Sequence, residues 1–135
     1  QVLNSGTPLL GICVGMQLLF ETSEESPGIA GLGFLRGQVK KLVAPGLKIP
    51  HIGWNNLQVR ENASMLSGSQ NEYVYFVHSY HCVPEDAGTI TATCDYGSTL
   101  VASIAYRNVQ AVQFHPEKSS AVGLRILHNF VNGVK

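Results

Sequence analysis

Residues 7–20 read Thr7-Pro8-Leu9-Leu10-Gly11-Ile12-Cys13-Val14-Gly15-Met16-Gln17-Leu18-Leu19-Phe20, and a change of pattern inside them decides the fold class. From Thr7 to Cys13 the apolar residues fall on both faces of an extended chain, as in a strand buried inside a parallel sheet with a layer on each side. From Val14 to Glu21 the pattern becomes helical. A buried strand that turns directly into a helix is the building unit of an α/β fold.

Outward from there, Thr22 to Gly37 carries Ser, Pro and four Gly and reads as a long irregular loop. Gln38 to Leu42, Asn55 to Arg60, Tyr73 to His78, Thr89 to Asp95, Ala102 to Tyr106 and Val109 to Phe114 have the β-branched and aromatic content of strands. A last helix from Ser120 to Val131 is expected to place Leu124, Leu127 and Val131 on one face, with Gly133 as its stop. With no repeat or linker, residues 1–135 read as one α/β domain with an open, mostly parallel sheet. Two helices are too few to cover both faces of such a sheet. The chain also opens on Gln1-Val2-Leu3-Asn4 as though a helix were ending, so the expectation is that an upstream βα portion completes the domain.

Nine basic residues balance nine acidic ones, so no field steers the chain toward nucleic acid. Charged residues make up 13% of the chain, about half the roughly 25% usual for a soluble domain, which implies that part of the surface is covered. No apolar run approaches the roughly 20 residues of a membrane span, and the first residues lack the pattern of a signal peptide, so the cytoplasm is the expected compartment. Three cysteines without a close pair argue against a disulfide framework.

Of these three, Cys13 stands apart. Gly11-Ile12-Cys13-Val14-Gly15 has the form of a nucleophile elbow with sulfur in place of oxygen. The glycines are expected to let strand and helix backbones approach closely where any side chain would clash. At the helix start the thiol meets unpaired N–H groups, and the N–H of Val14 can serve a later oxyanion. Cys82 and Cys94 read as small buried hydrophobes. The base is sought in Val112-Gln113-Phe114-His115-Pro116-Glu117. Residues i and i+2 of an extended segment point the same way, and Pro116 biases His115 toward that conformation. Glu117 can then orient one imidazole nitrogen while the other takes a proton. Cys13 and His115 both fall at the carboxyl ends of expected core strands, where open α/β sheets gather their sites.

Gly11-Ile12-Cys13-Val14-Gly15-Met16-Gln17-Leu18-Leu19-Phe20 together with Gln113-Phe114-His115-Pro116-Glu117-Lys118-Ser119 resembles the triad-type, class I glutamine amidotransferases. Pro50-His51-Ile52-Gly53-Trp54-Asn55 and Tyr75-Phe76-Val77-His78-Ser79-Tyr80-His81 are similar to the glutaminase subunits of imidazole glycerol phosphate synthases within that family. The resemblance implies a flavodoxin-like fold and glutamine hydrolysis through a thioester on Cys13, with His115 moving the proton and Glu117 holding His115. It also implies contacts to glutamine from Gly15, Gln17, Ser79 and Tyr80. The implied partner is a (βα)8-barrel cyclase, met by Trp54, Asn55 and Lys118, to which ammonia passes in histidine biosynthesis. No metal or cofactor is implied.

Relatives carry, before the elbow, the first strands and a glycine-rich loop with a second oxyanion N–H, and nothing here matches either. These residues alone are therefore expected to hydrolyse glutamine poorly, since one such donor is worth about 100- to 1,000-fold in rate. His51 and Trp54 are read as interface residues rather than a core cluster. His78 and His81 are read as facing opposite sides, unsuited to a metal. Glu24-Glu25 is read as a solvated loop. Other readings are a triad amidotransferase serving a different synthase, a non-catalytic binding module on the same fold, and a cysteine peptidase or γ-glutamyl hydrolase.

Overall fold

The computed structural model describes residues 2–61 and 63–133. In chain order its elements are α1 (Val2–Ser5), β1 (Leu9–Ile12), α2 (Val14–Gln17), β2 (Thr22–Ser23), β3 (Gly37–Lys41), β4 (His51–Asn56), β5 (Gln58–Val59), β6 (Tyr73–His78), β7 (Tyr80–Pro84), β8 (Ile90–Asp95), β9 (Thr99–Tyr106), β10 (Val109–Val112) and α3 (Ser120–Asn132). Gln1, part of the expected helix end, lies outside the described residues, and Val2–Ser5 is helical.

The main sheet runs β1-β10-β9-β8-β5. β1 and β10 are parallel, Ile12 lying opposite Val112, whereas the joins β10/β9, β9/β8 and β8/β5 are antiparallel. Smaller sheets pair β2 with β3 in parallel, β3 with β7, and β4 with β6. The α/β class stands, with strand directions more mixed than expected. β8, β9 and β10 follow one another through short turns, which can join only antiparallel strands.

An apolar cluster lies on each face of the main sheet, although Leu9, Leu10 and Ile12 of the edge strand β1 are only half-buried. One face carries Leu57, Val74, Phe76, Ala102, Val112, Phe114 and Ile126, and the other carries Met16, Leu19, Phe20, Val39, Cys82, Ile104 and Ala111. The neighbours Ala111 and Val112 go to opposite clusters, as the two-residue period of a strand dictates. β1 is thus apolar on both sides because it lies between two cores.

Several boundaries differ from the sequence reading. The strand expected over Asn55 to Arg60 starts earlier, at His51, and breaks into β4 and β5. Its early start is set by pairing with β6, Trp54 opposite Tyr75, which outweighs the loop-like Gly53 and Asn55. β7 was not expected as a separate strand; it exists because Cys82 lies opposite Val39 and buries itself in the second core. The helix expected to reach Glu21 is regular only to Gln17; Leu18 N–H still makes an α-helical bond to Val14 O, after which Leu19 N–H bonds Met16 O and Phe20 N–H bonds Gln17 O in tighter turns.

The last helix presents the other face to the sheet. Gly123 and Ile126 are buried with Val122 and Phe130 packed beside them, while Leu124 is 68% and Val131 64% exposed. Both stripes are apolar at helical spacing, so periodicity alone does not choose between them. The choice is made at Gly123, where a Cβ would lie 1.8 Å from the Pro116 carbonyl oxygen.

Candidate active site

The elbow forms as the sequence pattern implies. Cys13 has φ 55° and ψ −107°, a conformation that costs a residue with a Cβ on the order of 1–3 kcal/mol and that is held by its surroundings. Its N–H donates to Val112 O at 2.8 Å, continuing the β1/β10 ladder past the strand end, and its carbonyl receives Met16 N–H at 3.0 Å to start α2. The two glycines have different reasons. A Cβ on Gly11 would meet Gly15 O at 3.0 Å, a real close approach, but the space beside Gly15 is open. The clash expected at Gly15 is absent because its own missing side chain points away from β1.

The sulfur sits among polar neighbours. Its S–H reaches toward Val77 O at 3.8 Å, and Gln113 Nε2 donates to it at 3.6 Å. Burial pushes the Cys13 thiol up; the Val14 N–H and the Gln113 carboxamide favour thiolate, and Glu117 and Glu25 oppose it. Burial also holds Cys82 well above an ordinary thiol and Cys94 up at about 12, so both are inert at neutral pH, as their core reading requires.

β10 ends beside β1, and the following residues bring the second group. His115 Nδ1 and Glu117 Oε2 are 2.9 Å apart, the ring mostly buried and the carboxylate half-exposed. The backbone under them is pinned: His115 N–H donates to Tyr75 O at 2.9 Å, and the buried Ser119 hydroxyl donates to His115 O at 2.6 Å while accepting Tyr75 N–H at 2.9 Å. No hydrogen bond joins His115 to Cys13 among the described residues, the thiol being turned to Val77 instead. Catalytic hydrogen bonds are often loose before substrate binds.

Gln17 links the elbow to β7, its Nε2 lying 3.2 Å from both Tyr80 O and Gln113 Oε1. The geometry thus brings Gln17 to the Tyr80 backbone and sets Ser79 between β6 and β7 beside it. A cavity of about 110 Å³ opens along α2, lined by Val14, Gln17, Leu18, Glu25 and Ile29. Glu25 therefore belongs to the elbow cleft and not merely to a solvated loop, while Glu24 accepts Lys41 N–H at 2.7 Å. Glu25 and Gln113 escaped the sequence reading. Glu25 lies in an irregular loop with no period to place it, but Gln113, polar at the end of an apolar strand, was a visible anomaly. A larger concavity of 450 Å³ near Phe34, Arg36 and Tyr106 is lined by no cysteine or histidine.

On β4 the side chains alternate. Ile52 and Trp54 face outward, Trp54 being 50% exposed and edge-on to Tyr75 at 5.9 Å. His51 faces inward and is a core residue, stacked between Phe76 and Tyr96 and 3.0 Å from His78, so it does not share the surface of Trp54. Asn55 donates to Asp95 O at 2.8 Å. Lys118 is exposed on the turn Pro116–Lys118.

A cysteine on a strained strand-to-helix turn, next to a strand whose following residues bring a paired His and Glu, is the arrangement of proteins built around a thiol nucleophile and its base. Residues 1–134 match the family "Glutamine amidotransferase class-I", and the chain belongs to that family. Among curated proteins it is 52% identical over 130 residues to the imidazole glycerol phosphate synthase subunit HisH of Pyrococcus furiosus, covering 95% of this chain and 66% of that one. It is 46% identical to HisH of Methanothermobacter thermautotrophicus, over 96% of this chain and 65% of that one. The plant synthase hisHF of Arabidopsis thaliana is 49% identical over 93% of this chain, which spans 22% of that longer polypeptide. The chain thus spans slightly under two thirds of the first two relatives. Among solved structures, PurLQS of Thermotoga maritima superposes with a TM-score of 0.70 at 20% identity, over 99% of this chain and 65% of that one. The glutaminase domain of CTPS from Trypanosoma brucei gives 0.63 at 16% identity, over 97% and 62%. These likenesses share the fold expected from the sequence.

Proposed function

We propose that residues 1–135 belong to the glutaminase domain of an imidazole glycerol phosphate synthase, working in the cytoplasm. The observation that carries this is the Cys13 elbow laid against β10, whose following residues bring the His115–Glu117 pair. The Cys13 sulfur attacks the γ-carboxamide carbon of glutamine as its proton passes to His115, and the C–N bond breaks as His115 returns that proton to the leaving nitrogen. Ammonia departs, leaving a γ-glutamyl thioester. Water then adds with His115 again as base, and glutamate leaves with the sulfur restored to a thiol. Glu117 keeps His115 in the tautomer that can accept at Nε2 and stabilises the imidazolium. The Val14 N–H stabilises the oxyanion at both steps.

Gly15 and Gln17 on α2, with the Ser79-Tyr80 backbone, form the glutamine site. Glu25 on the cleft wall supplies the anion that the α-ammonium of a free amino acid needs once it leaves water. Ammonia is passed to a (βα)8-barrel cyclase that docks over Trp54, Asn55 and Lys118; the identity with subunits named for this synthase supports that partner. The test treats the protein, with and without the cyclase, with an electrophilic glutamine analogue and maps the adduct by peptide mass. Labelling at Cys13 is expected, and labelling at Cys82 or Cys94 would overturn the assignment.

A further inference from the structure

Gln113 is fully buried beside the elbow, yet the reaction above gives it no task. An unneeded carboxamide at such a position costs desolvation that an apolar side chain of similar size would avoid. Its side-chain partners are Gln17 and Cys13, so its polar atoms serve the site rather than the sheet.

The hydrogen-bond chain also settles which way the amide faces. A backbone carbonyl only accepts, so Tyr80 O turns the NH₂ group of Gln17 toward itself. That same NH₂ group lies 3.2 Å from Gln113, which must answer with its oxygen and so turns its own NH₂ to the sulfur. The sulfur therefore lies between an acceptor, Val77 O, and a donor, Gln113. The carbonyl suits a thiol; the amide donor suits a thiolate, since hydrogen bonds to a charged acceptor are roughly twice as strong as neutral ones. The charged groups acting on the sulfur from neighbouring segments, Glu117 and Glu25, do not help it ionise.

We propose that Gln113 is a positioning residue for the nucleophile, holding the Cys13 sulfur through an N–H that Gln17 orients. The residue that lines the cleft for glutamine thereby also sets the donor on the attacking atom. This rests on reading Cys13 as the glutaminase nucleophile.

The test compares the full-length protein, complexed with its cyclase, as wild type, Gln113→Leu and Gln113→Glu. The pH dependence of Cys13 alkylation by iodoacetamide is followed by peptide mass. Cys82 and Cys94 are buried, so their labelling reports unfolding in the same samples. Gln113→Leu is expected to raise the midpoint by about one pH unit and slow alkylation at pH 7 roughly tenfold. Gln113→Glu should raise it further, and kcat for glutamine should fall more than KM changes. A Gln113→Leu profile superimposable on wild type, with Cys82 and Cys94 protected, overturns the proposal. If the leucine variant exposes those cysteines, the unbranched Gln113→Met is judged by the same criterion. Because alkylation needs no turnover, a wild type that fails to hydrolyse glutamine would sink the functional reading separately.

Discussion

At the scale of single residues, the site depends on groups whose surroundings set their protonation. Under the proposed function, Cys13→Ala should lower glutamine hydrolysis by the cyclase complex at least about 10⁴-fold, since the other two thiols, Cys82 and Cys94, are buried. Glu117→Gln should approach that loss, up to about 10⁴-fold, because a carboxamide can donate to Nδ1 and hold the imidazole in the tautomer that cannot accept at Nε2. Steady-state assays of ammonia release check both losses. A second residue-scale effect lies in the core. Burial and the neighbouring His78 lower His51 from 6.5 to about 4, and burial lowers His78 as well. The unfolded chain therefore takes up protons before the folded one does, and stability falls as pH drops from 6.5 toward 4. Denaturant melts across that window should show the loss, and His51→Phe should flatten the curve, a ring being able to stack between Phe76 and Tyr96 without a proton to gain.

Among elements, the contact that matters most is α3 against the turn Pro116–Lys118. Gly123→Ala puts a methyl group 1.8 Å from Pro116 O, so helix or turn must move, and the turn carries Glu117. Overpacking of this kind costs typically 1–3 kcal/mol and should here reach the upper end, with glutaminase activity falling as well. Gly15→Ala meets open space and should leave stability within about 0.5 kcal/mol in equilibrium unfolding. The contrast separates a glycine required by packing from one that packing leaves free. Ser119 acts on the same scale, tying the His115 turn to β6 through both its donor and its acceptor.

Over the whole molecule, the outward face of β4 is where the proposed function puts the cyclase. Ile52 and Trp54 project from a strand whose other side packs on the core, so a partner can bury them without disturbing it. Trp54→Ala should weaken cyclase binding by about 2 kcal/mol, roughly thirtyfold, while the melting temperature of the isolated protein barely changes. Titration calorimetry and thermal melts check the two halves of that statement. The exposed Leu124 and Val131 on α3 form a second apolar face, one that the sequence had placed inside.

Residues 9–20 alone determined the strand, the elbow and the position of its cysteine, because a strand buried on both faces and a glycine-flanked turn leave local patterns that little else produces. His115 and Glu117 were legible as a pair, but extended backbone reaches only His115; Glu117 meets the ring from the tight turn Pro116–Lys118, which the two-residue spacing did not describe. The rotation of α3, the inward turn of His51, the existence of β7 and the place of Gln113 beside the sulfur were decided only in three dimensions. Each depends on what a residue meets across the fold: Pro116 for Gly123, Phe76 and Tyr96 for His51, Val39 for Cys82, Cys13 for Gln113. Such contacts bring together residues distant in the chain, and a periodicity that records which side chains are apolar does not record which neighbours they will find.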